Sequence, residues 1–536
     1  MRSRWARLVY LALALIMVIS SVSGCASQPA APAPATPAKP AAKTPTTCTV
    51  VIQSEPMMFW DPAETWAAEI IALVNMYETL VKVDPADNNK VSPVLAESWK
   101  ESADHLNWTF KLREGVKFHS GLELTADVAV KSLKRTIDSK AGASYIWDGV
   151  KEIKAKDKYT IEFVLELPLP MLFIAGGAYG AYIYNPEHTK DWYYKPNVDG
   201  TGPYKLKSYT KSNEILMEKF DGYWGGWKDP SKFDYAILKV VPERATARQM
   251  LEKGEADLAF DLTPDDIKAL EKNPAIKIYR TESFSQLDML LNCQKAPLNN
   301  KYLRQALAYL MPYQDIIKNV LGGSAVQARG VIPPTLWGHG KDLFQYTYDP
   351  AKAKELLAKA GYPKGGLTLK FTFGATNSVA QKIGELFKDS LAQVGITLEF
   401  QRMATIDQYY AQAKDPDPKK RQDMMTLYWW PDYLDPFSYL YSQFRTEKKV
   451  GFNYSYYYNP VVDKLIDDGG KLTGVSQAEA AKKFIEAQKI IIEDSPAILL
   501  FCDMYVKAAL TTLKGYRDNP AYATAVYFYE LSGQPK

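Results

Sequence analysis

Histidine, cysteine and net charge are all scarce in this sequence, and each scarcity removes a class of function. Four histidines occur in 536 residues, His105, His119, His188 and His339, and none is spaced with other ligands as a metal site requires, so no metal is expected. Of the four cysteines, Cys25 closes the motif that follows the leader described below, which leaves Cys48, Cys293 and Cys502. Three thiols cannot all pair internally. Cys293 and Cys502 lie in apolar, strand-like runs and read as buried thiols, with a Cys293–Cys502 disulfide left open. Basic residues number 65 and acidic residues 61, and Arg2, Arg4 and Arg7 fall in the leader. A near-neutral body gives no ground for a nucleic-acid partner. There is no Walker-type phosphate loop, no GxSxG elbow and no HExxH pair, and GGAYGAY from Gly176 lacks the GxGxxG spacing. No cofactor is expected, and no internal repeat is evident.

What is present is an ordinary globular composition, 47% hydrophobic and 24% charged, in a chain long enough for more than one domain. It begins with basic MRSRWAR and an apolar run, LVYLALALIMVIS, that falls short of the roughly 20 residues of a spanning helix. This is the pattern of an export signal. The run ends in Val22-Ser23-Gly24-Cys25, which resembles the bacterial lipobox. That resemblance implies a signal peptide over 1–24, a lipid on Cys25 and membrane attachment through it. Residues 25–47 are rich in Ala, Pro and Thr, cannot build a core and read as an extended tether.

Beyond the tether, strand and helix patterns alternate. TCTVVIQSE reads as a strand, and AETWAAEIIALVNMYETL has the apolar spacing of an amphipathic helix over 63–80. LNWTFKLREGVKFHSG alternates Leu106, Trp108, Phe110, Leu112 and then Val116 and Phe118 across a Glu114-Gly115 turn, the pattern of a half-buried hairpin. Thr125 is placed to cap the helix ADVAVKSLKRTID, and Asp349-Pro350 opens a helix that Gly361 ends. LTLKFTF, SVAQKIGELFKDSLAQVG and ITLEF then form a strand-helix-strand unit whose crossover favours parallel pairing. A late helix, QAEAAKKFIEAQKIIIED, leads into the strand PAILLFCDMYV, which is expected to return the chain to its first lobe.

Several stretches together resemble the extracytoplasmic solute-binding proteins of family 5, the oligopeptide, dipeptide and nickel class that serves ABC importers. They are PVLAESWKESADHLNWTFKLREGVKFHSGLELTADVAVKSLKR from Pro93, GTGPYKL from Gly200, KFDGYWGG from Lys219, APLNNKYLRQALAYLM from Ala296, YDPAKAKELLAKAGY from Tyr348 and TLYWWPDYLDPF over 426–437. The resemblance implies an α/β, two-lobed periplasmic-binding-protein fold (type II-like, cluster C) with a third domain and a ligand enclosed between lobes. Domain I would comprise 48–82, 195–285 and 495–536, domain II 83–194 and domain III 286–494. The partners implied are a small-molecule or peptide ligand and the permease and ATPase of the transporter, and the protein is expected to be an exported monomer rather than an enzyme.

TLYWWPDYLDPF is unusual in setting two tryptophans beside two acids. In peptide-binding relatives the aspartate of such a W-x-x-D stretch meets the ligand's α-ammonium, and the matching residues are Trp429 and Asp432. Trp430 and Tyr433 flank them, and Glu55, in QSEPMMFWDP, matches a region near the ligand. Asp435, before Pro436, reads as a turn or cap. Asp432 pairing instead with Arg402 or Arg445 is the alternative. The ligand class stays open among a peptide, an oligosaccharide and a metal chelate. A secreted hydrolase using Asp432 and Asp435 is disfavoured, because acids three apart on one turn meet a substrate from one side.

Overall fold

The computed structural model describes residues 45–65, 68–87 and 89–533; the signal segment, Cys25 and most of the tether lie outside the described residues. An eleven-stranded sheet organises the body. Two long antiparallel strands, Ile276–Leu291 and Ala497–Leu510, run through its middle and belong to both halves. On one side follow Leu258–Ala259, Thr47–Ile52, Tyr235–Val240, Glu214–Lys219 and Tyr204–Thr210; on the other, Met424–Trp429, Leu367–Gly374 and Ile396–Met403, with Ala325–Gln327 against the second long strand. A separate four-stranded antiparallel sheet holds Ala96–Glu101, Asn107–Leu112, Thr160–Leu165 and Val150–Asp157.

Local signals account for many elements. Leu367–Gly374 and Ile396–Met403 pair in parallel around the helix Ser378–Ala392, whose buried Ala380, Ile383, Phe387 and Leu391 fall on one stripe. The Thr125 hydroxyl accepts the Val128 amide at 3.4 Å, and Asp349 Oδ1 accepts the Lys352 amide at 2.9 Å. The Ala497–Leu510 strand does return to the first half, pairing with Leu258–Ala259.

Two expectations are corrected, and the disulfide left open between Cys293 and Cys502 is not formed. The long helix over 63–80 shrinks, among the described residues, to Ile70–Leu73. Ile70, Ile71, Met76 and Tyr77 are all at most 1% exposed, so the described part of the segment has no solvent face. The carbonyls of Asn75, Met76 and Glu78 accept amides from Tyr204, Gly202 and Ile183 instead of from the next helical turn. The 106–118 hairpin is absent because Asn107–Leu112 is flanked on both edges, by Ala96–Glu101 and Thr160–Leu165. Val116 and Phe118 are still buried, but in a small loop closed by the Lys117–Glu123 bridge. Cys293 and Cys502 are free thiols. Cys502 lies opposite Gln286, and Cys293 is seven residues further along, about 20 Å at the usual strand rise.

Asp288, on the first long strand, is fully buried, and its two oxygens accept from the Gln286 amide at 3.0 and 3.3 Å. Burial pushes its carboxyl up to about 8. The folded chain therefore keeps a proton that the unfolded chain loses above pH 4, and the resulting stabilisation is lost as pH rises through about 8. The slope is at most about 1.4 kcal/mol per pH unit. Asp288→Asn is expected to shrink the difference in Tm between pH 5 and pH 8; an unchanged difference would show that other groups set it.

Candidate ligand site at the lobe seam

Each half of the large sheet contains a parallel set. Thr47–Ile52 pairs in parallel with Tyr235–Val240 and Leu258–Ala259, and Leu367–Gly374 with Ile396–Met403 and Met424–Trp429. Ligands of such sheets gather outside the carboxyl ends of the strands. Among the segments leaving those ends are 53–57, 260–262 and 430–433, and the last carries Asp432.

Trp429 ends its strand with its ring edge-on to Phe452, centroids 5.2 Å apart, and is buried. Trp430 is half-buried against the core, and Tyr433 is buried with its phenol pushed up by burial. Asp432 is half-buried between them. Its Oδ1 accepts from the Tyr145 hydroxyl at 2.7 Å, its inner Oδ2 is sealed from solvent without a partner, and its main-chain oxygen accepts from the Tyr522 hydroxyl at 3.3 Å. Burial raises the carboxyl to about 6, although the Tyr145 bond acts to lower it. Among the described residues no Lys or Arg forms an ion pair with it. Arg445 is engaged by Asp467 at 2.6 and 2.9 Å, so that alternative is not realised.

Asp435 behaves as a cap: it is fully buried, Oδ1 accepts the Phe437 amide at 2.8 Å, and burial pushes it to about 7. Glu55 is committed elsewhere, accepting the Met57 amide at 2.9 Å and the Ser212 amide at 2.6 Å, with no hydrogen bond to the 429–433 stretch. The structure thus gathers Trp429, Trp430, Asp432 and Tyr433 and adds Tyr145 and Tyr522, which sequence reasoning missed. Tyr145 lies 287 residues from Asp432, and nothing local to it signals the contact.

A cavity of about 1020 Å³ lies between the 260–271 and 314–324 segments, floored by residues 503–507. Ala523 and Thr524, which follow Tyr522, line it, as does Asp503, which is hydrogen-bonded by Tyr428 at the end of the strand that carries Trp429. Neither this cavity nor a separate groove of about 640 Å³, walled by Trp108, Leu169, Trp337 and Thr473, is lined by any of the 429–433 residues; the cavity reaches the group through Tyr522 and Tyr428 alone.

Two sheet halves joined by two shared strands, with a carboxylate and a cavity at the ends of their parallel strands, define a two-lobed binding protein of the periplasmic type. A sequence model of the bacterial extracellular solute-binding proteins, family 5 (middle region), matches residues 90–450. The chain belongs to that family. It is 31% identical over 435 residues to the probable D,D-dipeptide-binding periplasmic protein DdpA of Escherichia coli K12, covering 80% of this chain and 82% of that one. It is 30% identical over 489 residues to the dipeptide-binding protein of the same strain, covering 83% and 87%. The solved structure of the periplasmic binding protein DppA of Helicobacter pylori, in complex with the peptide STSA, matches with a TM-score of 0.76 at 26% identity, covering 91% of this chain and 98% of that chain.

Proposed function

We propose that this chain is the substrate-binding lipoprotein of an ABC importer, capturing a peptide-like solute between two closing lobes and delivering it to the permease. The observation that carries the reading is Asp432, a carboxylate at the seam with a tyrosine donor but no cationic partner among the described residues. Such a group suits the α-ammonium of a peptide, because charge-assisted hydrogen bonds form most strongly where water is excluded. With domain I as 48–82, 195–285 and 495–536, domain II as 83–194 and domain III as 286–494, Tyr522, Tyr145 and Asp432 come from the three domains in turn. Ligand contacts on both sides of the seam would then favour the closed state through their differential affinity for it. The named relatives, which are described as binding dipeptides or a tetrapeptide, support the same ligand class.

Native mass spectrometry of protein purified without denaturation, then exposed to a diverse peptide library, tests the ligand class. Short peptides are the expected bound mass; a sugar or metal chelate, or no peptide bound from the library, would overturn it. The anchor is part of the same proposal, resting on VSGC and the proline-rich stretch that follows it. Cys25→Ser is expected to give an unlipidated protein that leaves the membrane fraction; firm retention of the variant would remove Cys25 as the attachment point.

A further inference from the structure

The cavity lined by Ala523 and Thr524 has charged walls, and part of that charge is already matched. Arg280 pairs with Glu271, and Lys507 is buried against Asp518 and over the Phe260 ring. Asp261, Asp265, Lys268 and Lys318 are exposed to solvent. Asp503 differs. It is half-buried in the cavity lining, on the strand shared by the two halves, and its Oδ2 accepts from the Ser285 hydroxyl at 3.4 Å. The Tyr428 hydroxyl is its other neighbour, and the residue opposite it on the short strand is Ala325. No Lys or Arg among the described residues forms an ion pair with it. Burial pushes the carboxyl up to about 7, the response of an acid that gives up water without gaining a counter-charge. Asparagine would keep the hydroxyl contacts without that cost. An acid held here is therefore matched to a cation that arrives from the cavity.

We propose that Asp503 receives a cationic side chain of the bound ligand and so selects peptides that carry lysine, ornithine or arginine. This rests on the peptide reading above and adds a second charge to it. Two carboxylates, Asp432 and Asp503, then read two separate positive groups on one ligand, the α-ammonium and the basic side chain.

The test is calorimetry with Ala-Ala-Ala, Lys-Ala-Ala, Ala-Lys-Ala and Ala-Ala-Lys, and with the norleucine analogue of whichever lysyl peptide binds best, on the wild type and Asp503→Asn. Wild type is expected to bind at least one lysyl peptide about ten-fold or more tightly than Ala-Ala-Ala or the norleucine analogue. In Asp503→Asn that preference should fall to about two-fold or less, with the affinity for Ala-Ala-Ala unchanged and Tm not lowered. Absence of a lysine preference in wild type, or its survival in the variant, overturns the proposal while leaving the peptide reading standing. An equal loss for all the peptides in the variant makes Asp503 a structural residue and likewise overturns it. Failure of every peptide to bind wild type overturns both readings together.

Discussion

Asp432→Asn is expected to weaken the binding of a short peptide with a free N-terminus by about 1.5 to 3 kcal/mol, roughly ten- to hundred-fold. The substitution keeps the shape of the side chain and removes its charge, so Tyr145 still has an oxygen to meet and folding should change little. N-acetylation of the peptide removes the other half of the same interaction. In wild type, acetylation should abolish most of the affinity; in the variant it should matter much less, because both changes delete one contact. Calorimetry on this two-by-two set decides the assignment. An equal loss on acetylation in both proteins would detach Asp432 from the ammonium and shift weight to a sugar or chelate ligand.

The second large effect is structural. Gly200→Ala is expected to cost more than about 3 kcal/mol of stability, enough to lower the denaturation midpoint sharply or prevent accumulation of folded protein. A Cβ at Gly200 would stand 2.0 Å from the Met76 carbonyl oxygen and 2.9 Å from its carbon. Both are backbone atoms and cannot swing aside. That same carbonyl accepts the Gly202 amide at 3.0 Å, so moving it breaks the join between the GTGPY stretch and the 75–78 segment. A loss below about 1 kcal/mol in chemical denaturation would mean that the approach is looser than this.

The two cases mark where sequence reading succeeds. The caps at Thr125 and Asp349 were legible because hydrogen bonds to the third residue on determine them, and the strand-helix-strand unit over 367–403 because its two strands pair across a single helical crossover. The 63–80 segment was misread because its apolar residues are spaced well enough for a helix, while remote amides claim its carbonyls. The 106–118 alternation correctly marked which residues are buried, yet pairing was decided by two strands that compete for the same edges. For the site, TLYWWPDYLDPF was conspicuous because acids and tryptophans rarely share an environment. What meets Asp432 was not legible: the Tyr145 hydroxyl comes from 287 residues away and the Tyr522 hydroxyl from 90. Asp503 likewise sits in an unremarkable apolar strand, and only the cavity beside it gives its charge a meaning.

The strand Ala497–Leu510 lies between Ile276–Leu291 and Leu258–Ala259 near the centre of the large sheet, yet among the described residues it comes last of the strands in chain order. Until it emerges, a growing chain holds two unpaired edges and cannot unite its halves. Contacts across so long a separation also make folding slow. A polypeptide assembled in this order keeps its two sheet halves apart until residues 497–510 have been made.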